Sequence, residues 1–135
     1  MDERVDAALR SLTAAAGTGE LAHLCEDNGV SLMVLFGSAV REGASPRDID
    51  LAVRFTDEGN VLRLLQNLYE LTGFEGYDVL VLNQAEPLAR ERALVTGRPL
   101  HQARPGAFAN EQISAIMERL DTDEFRRTEL ELMGR

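Results

Sequence analysis

The chain has 135 residues, a formal net charge of −9 and a hydrophobic content of 44%, values that predict one ordinary globular domain. Its one cysteine excludes an internal disulfide and four-cysteine zinc sites, and no apolar run approaches the ~20 residues that cross a membrane. The acidic balance disfavours binding to a long nucleic acid, whose phosphates require basic side chains. It favours a basic protein partner, although acidity that only maintains solubility is an equal alternative. The charged N-terminus does not resemble a secretory signal, so we expect a cytoplasmic protein.

The first part of the chain reads as two helices followed by a strand. Apolar residues at helical spacing predict a helix over residues 3–16, ended by Gly17, and a shorter helix over about 20–28. The apolar run Val30–Phe36 predicts a buried strand. A polar segment follows, with one helical turn expected over residues 39–42.

Strands and helices continue to alternate in the middle of the chain. Apolar and polar residues alternate over 48–55 and predict a second strand. A helix is expected over 58–72 with Asp57 as its N-cap, and a third strand over Gly76–Leu82. A helix over 86–96 and an edge strand over 98–102 complete the pattern; we leave their roles open at this point.

The last residues are predicted to be helical in two pieces. Ile113, Ile116, Met117 and Leu120 form a stripe. We expect this region to be a solvated helix that packs by one face; a face that docks a partner is the less favoured alternative. Asp121 and Glu124 resemble a capping box that would start the second piece. Together the elements predict an α+β fold, a small mixed β-sheet with helices packed on it. We expect a single domain over 1–135, with a core of about 30–103 and helical flanks over 3–28 and 107–132.

Two carboxylates open the second strand. Asp48 and Asp50 are two residues apart, and in a strand this spacing places both side chains on one face, about 7 Å apart. Ionised carboxylates in this arrangement repel each other unless a cation lies between them. Mg²⁺ is typically held by one or two carboxylates together with substrate phosphates. The pair therefore predicts a magnesium site.

The turn after the first strand offers a place for an anion. Gly37 allows close approach of the backbone or a positive φ angle, and Ser38 adds a hydroxyl where a helix could start. A phosphate site beside a magnesium site is typical of phosphoryl or nucleotidyl transfer. Arg41 and Arg47 lie between the two and are candidates to neutralise phosphate charge; exposed loop arginines without this role are the slightly favoured alternative.

This pattern resembles a known superfamily. Gly37-Ser38, a short spacer with arginine, and Asp48-x-Asp50 before an apolar strand are similar to the signature of the DNA polymerase β-like nucleotidyltransferases. In its small size the chain resembles the minimal nucleotidyltransferase branch of this superfamily, whose members include the antitoxins of HEPN/MNT toxin–antitoxin pairs. The spacer of nine residues between Ser38 and Asp48 is one shorter than the commonest form. The loop reads Arg-Glu-Gly instead of Arg-Gly, and Arg47 stands where the family often has serine.

The resemblance implies a site and a reaction. Asp78, at the start of the third strand, would be the third carboxylate, a metal ligand or a base, provided that this strand lies beside the second. The alternative is that Asp78 only caps the entry of the strand. Two Mg²⁺ ions would be held by the carboxylates, while Gly37 and Ser38 would bind the phosphates of ATP. AMP would pass to a hydroxyl, and pyrophosphate would leave.

The acceptor implied by the resemblance is a tyrosine of a HEPN-domain ribonuclease toxin. The residues after the last predicted strand are too few for an acceptor-binding domain, so a separate macromolecule is expected to present the hydroxyl. Two alternatives remain open. The chain could be an antitoxin that acts by binding alone, or a small-molecule nucleotidyltransferase that completes its acceptor pocket as a dimer.

Overall fold

The computed structural model describes residues 3–41, 43 and 46–133, with the backbone alone for residues 122–126, 128–131 and 133. The helices are α1 Glu3–Thr18, α2 Glu20–Asp27, α3 Val61–Thr72, α4 Pro87–Thr96 and α5 Ala107–Met133, and a 3₁₀ turn spans Gly37–Val40. The strands are β1 Val30–Phe36, β2 Ile49–Phe55, β3 Tyr77–Val81 and β4 Arg98–Gln102. Among the helices so described, none has the length and apolar content needed to cross a bilayer.

The four strands form one mixed sheet in the order β3-β2-β1-β4. β1 is antiparallel to both β2 and β4, and β2 is parallel to β3. The predicted α+β class with a small mixed sheet is therefore confirmed. β4 lies at the edge, where its proline is tolerated because an edge strand leaves some of its N–H groups unpaired.

Helices cover both faces of the sheet, because side chains of a strand alternate between faces. Met33 and Leu35 of β1 join the core formed with α1, α2 and α3. Leu32 and Val34, between them in the strand, pack instead with residues of α4 and α5. The odd-numbered residues of β2 lie in the first core and Ala52 lies in the second. Asp50 has the same parity as Ala52, so it belongs to the side of the sheet that α4 and α5 cover.

Two helix boundaries differ from the predictions. α1 continues through Gly17, and the break comes at Gly19, which has a φ of 92°. α3 begins at Val61 and not near residue 58, because Asn60 is the N-cap and its side chain accepts a hydrogen bond of 3.1 Å from the backbone N–H of Arg63. Asp57 as N-cap was therefore wrong.

The C-terminal region is one helix and not two. α5 runs without interruption from Ala107 to Met133, so Asp121 does not start a new helix; the side chain of Glu124 lies outside the described residues. The predicted packing of the apolar stripe was also wrong in large part. Ile113, Met117 and Leu120 are 50–60% exposed, because α5 packs inwards through residues such as Phe108 and Ala115.

Candidate active site

The three predicted carboxylates meet at one end of the sheet. β1 ends where β2 begins, so that Phe36 pairs with Asp50. β3 runs parallel to β2 in a register that pairs Asp50 with Asp78, and a hydrogen bond of 2.9 Å from the N–H of Ile49 to the carbonyl of Gly76 fixes this register. The condition placed on Asp78, that β3 lies beside β2, is thus met. Asp48 lies immediately before β2.

The other two carboxylates are close enough to Asp50 to affect its ionisation. Burial raises the pKa of Asp50 above its usual value, and the neighbouring charges of Asp78 and then Asp48 raise it further. Asp50 is half-buried, whereas Asp48 and Asp78 are exposed. Among the described side chains, no arginine or histidine forms an ion pair with any of the three. The cluster is therefore a concentration of uncompensated negative charge.

Gly37 lies directly against the Asp50 carboxylate. It has a φ of 74°, in the left-handed region that disfavours side chains. A Cβ at this position would overlap Oδ2 of Asp50 and would lie 3.1 Å from its Cγ. The predicted positive φ is therefore present, and the backbone of the 3₁₀ turn comes into contact with the carboxylate.

A cavity of about 400 Å³ opens beside this contact. The 3₁₀ turn and β2 contribute Gly37, Ser38 and Asp50, and Arg41 adds a positive charge. Arg47, the other predicted arginine, is exposed and does not line this cavity. Arg92 and Thr96 of α4 also line the cavity. Neither residue was predicted from the sequence to belong to the site. Their spacing of four residues indicates that they share a helix face. It does not indicate which part of the protein that face contacts.

The residues present fit a magnesium ion that a substrate completes. Among the described side chains, no three His, Cys, Asp or Glu residues are arranged to hold a metal by themselves. Mg²⁺ does not need such a set, because it commonly takes one or two carboxylates and fills its octahedron with water and phosphate oxygens. Asp50 lies beside two unpaired carboxylates and lines the cavity, so it provides that chemistry. Asp48, Asp50 and Asp78 remain our predicted ligands.

Solved structures of similar architecture come from toxin–antitoxin complexes. A chain of a toxin–antitoxin complex with AMP-PNP is 20% identical with a TM-score of 0.65, and the match covers 87% of this chain and 98% of that one. A chain of a complex of tri-AMPylated Shewanella oneidensis HEPN toxin with MNT antitoxin is also 20% identical, with a TM-score of 0.61 and coverage of 87% and 95%. A chain of an MntA–HepT complex matches at 20% identity, a TM-score of 0.61 and coverage of 87% and 96%. At such identities the likeness establishes the fold.

The sequence itself gives the family. No curated protein matches the chain. The model of the family described as polymerase beta, nucleotidyltransferase matches residues 20–105, which contain the whole sheet and all three carboxylates. With this match over more than half of its length, the chain belongs to the polymerase β nucleotidyltransferase family.

Proposed function

We propose that this chain is an antitoxin that transfers AMP from ATP to a hydroxyl of its cognate HEPN-domain ribonuclease toxin, in a Mg²⁺-dependent reaction. The observation that carries the proposal is the meeting of Asp48, Asp50 and Asp78 beside the Gly37-Ser38 turn. The fold is similar to that of chains found in toxin–antitoxin complexes, one of which holds an AMPylated toxin. A tyrosine is the hydroxyl that we propose as acceptor.

The reaction we propose is a displacement at the α-phosphate. The acceptor oxygen forms a bond to that phosphorus, the bond to the bridging oxygen of the β-phosphate breaks, and pyrophosphate leaves. A carboxylate of the cluster, in our proposal Asp78, takes the proton of the acceptor hydroxyl. Its exposure leaves it accessible to a hydroxyl carried by another macromolecule.

Most of the catalysis in such a site comes from positioning and charge. Asp48, Asp50 and Asp78 would hold two Mg²⁺ ions, the number typical of this chemistry. Their charge would stabilise the attacking and leaving oxygens. Gly37 and Ser38 would position the β- and γ-phosphates. The chain's own residues thereby hold the donor against the end of the sheet, while the acceptor approaches from solvent.

One observation favours a second candidate, an antitoxin that acts by binding alone. Ile113, Met117 and Leu120 form an exposed apolar stripe along α5, spaced as a face that meets another protein would be. Contact through such a stripe would not require transfer. The carboxylate cluster has no explanation in this alternative, which is why we place it second.

The two candidates separate in one experiment. The chain is incubated with its cognate toxin, ATP and Mg²⁺, and the intact mass of the toxin is measured. We expect the toxin to gain one or more AMP units. Asp48→Ala/Asp50→Ala should still bind the toxin but transfer at least ~10³-fold more slowly, because it lacks the ligands that stabilise transition-state charge.

The control removes two acidic charges at the other end of β2. Asp57→Ala/Glu58→Ala alters exposed residues and should transfer AMP at the normal rate. In cells that express the toxin, the control should rescue growth and the Asp48/Asp50 variant should not. Equal rescue by both variants would overturn the transfer proposal and leave binding alone.

A further inference from the structure

Helix α4 presents different residues to α5 and to the cavity, as three consecutive residues show. Arg90 pairs with Glu118 of α5 and lies 3.6 Å from Glu111, and Glu91 pairs with Arg119. These contacts hold α4 against α5. Arg92 is next in sequence but turned by about 100° from Glu91, so it points away from this contact.

Arg92 and Thr96 lie one turn apart and share the face that lines the cavity. Thr96 donates its hydroxyl to the carbonyl of Arg92 at 2.8 Å, which leaves the guanidinium as the group of this wall that can donate to a ligand. Among the described side chains, no carboxylate pairs with Arg92. It is exposed in the same open space that Ser38 and Arg41 line from the other side.

The sheet places the carboxylates towards this helix. Asp50 shares its side of β2 with Ala52, and Ala52 packs in the core that contains Ala93 and Leu94 of α4. Asp78 has the same parity in β3 as Leu80, which packs against that core too. The metal-binding side of the sheet and the Arg92 face of α4 therefore border one cavity.

We propose that Arg92 is a phosphate-binding residue of this site, which contacts the triphosphate of the bound nucleotide opposite the Gly37-Ser38 turn. The inference rests on the proposed function, because it assigns a residue to the ATP of that reaction. A guanidinium presents donors in a fixed fork that matches two phosphate oxygens. The Asp50 carboxylate lines this cavity, so a triphosphate bound there needs cations on its other side, and Arg92 together with Arg41 supplies them.

The contacts with α5 fix the helix backbone that carries Arg92. In addition to the two ion-paired residues, the side-chain amide of Gln112 donates to the carbonyl of Leu94 at 2.8 Å. Gly97, which follows α4, is so close to β1 that a Cβ would overlap Val34. The helix backbone that carries Arg92 is thus anchored on both sides, and less ordering is required when phosphate binds.

The test measures binding by calorimetry with three probes, each in the presence of Mg²⁺: ATP, inorganic tripolyphosphate and adenosine. We expect Arg92→Ala to weaken the binding of ATP and tripolyphosphate by about tenfold to one-hundredfold, the effect of losing a pair of charge-assisted hydrogen bonds. The affinity for adenosine should not change. Arg92→Lys keeps the charge but loses the forked guanidinium, so its affinity for ATP and tripolyphosphate should lie between those of the wild type and Arg92→Ala. In transfer assays, KM for ATP should rise by the same factor, with a smaller change in kcat.

Arg10→Ala is the matched control, since Arg10 is an exposed arginine of α1; it should bind all three probes normally. Unchanged tripolyphosphate binding by Arg92→Ala would overturn the inference, and so would a wild-type chain that does not bind tripolyphosphate. Weakened binding of the toxin alone would instead assign Arg92 to the protein partner. If Arg92→Ala weakens tripolyphosphate binding but the wild-type chain adds no AMP to the toxin, the proposed function fails and the phosphate contact stands.

Discussion

Gly37 and Asp50 contact each other so closely that the Asp50 carboxylate occupies the space of the side chain that Gly37 lacks. Two independent constraints therefore act at Gly37. Its φ of 74° disfavours any side chain, and a Cβ would push the carboxylate away from its position. Because Asp50 lies between the other two carboxylates, a shift there changes the whole cluster.

We expect Gly37→Ala to lose transfer activity by ~100-fold or more, since displacement of a reacting group by about 1 Å has effects of this size. Gly73→Ala is the control, because Gly73 has the same φ of 74° and nothing within 4 Å of its missing Cβ. Both variants should lose about 1–2 kcal/mol of stability from the left-handed backbone. AMP incorporation into the toxin and thermal unfolding are measured side by side. Equal activity of the two variants would show that the contact with Asp50 does not matter.

The carboxylates could be predicted from sequence because strand alternation is a strong local constraint. Asp48 and Asp50 had to share a face, and a buried strand fixed which residues would point inwards. Arg92 could not be predicted in this way. The predicted extent of α4 was right to within one residue. The face that meets the 3₁₀ turn, however, depends on how α5 packs, and that is a tertiary contact.

A second prediction concerns Asp50 and pH in the metal-free protein. Burial, Asp78 and Asp48 raise the pKa of Asp50 in the folded state, so its ionised form opposes folding at neutral pH. Asp50→Asn should therefore be more stable than the wild type at pH 7. The advantage should shrink as the pH falls through the raised pKa, and disappear below the ordinary value of 3.8.

Melting temperatures of the wild type and Asp50→Asn, measured in chelator from pH 7 to pH 3.5, test the direction of this effect. Addition of Mg²⁺ at pH 7 should raise the melting temperature of the wild type more than that of Asp50→Asn, because bound cation stabilises only the folded state. If Asp50→Asn unfolds at a lower temperature than the wild type in metal-free buffer at pH 7, the carboxylate has a structural role that the cluster does not explain.

A third prediction concerns Gly97, between α4 and β4. A Cβ there would overlap the carbonyl oxygen of Ala93 and the side chain of Val34, and would lie 3.2 Å from the carbonyl oxygen of Leu35. Backbone atoms cannot move aside cheaply, so Gly97→Ala should cost about 1–3 kcal/mol. Gly17→Ala should have the opposite sign, a gain of about 0.5–1 kcal/mol, because Gly17 lies inside α1 with nothing within 4 Å. Urea unfolding measures both, and a stable Gly97→Ala would show that α4 can shift.

The helix boundaries show where local signals compete. Asp57 and Asn60 are both good N-caps, and only the observed hydrogen bond to the N–H of Arg63 decides between them. In α5, Asp121 and Glu124 have the spacing of a capping box, but neither glycine nor proline interrupts residues 107–133. Because no residue in this range breaks the helix, the chain continues as one helix and does not begin a second one.

The last prediction concerns Glu111, which joins the sheet to both C-terminal helices. It accepts hydrogen bonds from Arg54 of β2, including one of 3.1 Å from Nη2, and lies 3.6 Å from Arg90 of α4. Its side chain is 15% exposed and that of Arg90 is 9% exposed. Glu111→Gln keeps the shape but removes the carboxylate that pairs with Arg54 and leaves Arg90 with Glu118 alone, so we expect a loss of about 3 kcal/mol.

The matched control is Glu75→Gln. Glu75 lies 3.8 Å from Arg4, and the side chains of Glu75 and Arg4 are 78% and 69% exposed. This substitution should cost less than about 0.5 kcal/mol. Denaturant midpoints at low and high salt give the comparison, and the Glu111 effect should persist at high salt because buried charges are poorly screened. Equal midpoints for Glu111→Gln and the wild type would mean that these ion pairs do not hold α4 in place. The anchoring of the helix backbone at Arg92 would then have to come from the Glu91–Arg119 pair, the hydrogen bond from Gln112 and the apolar contacts of α4.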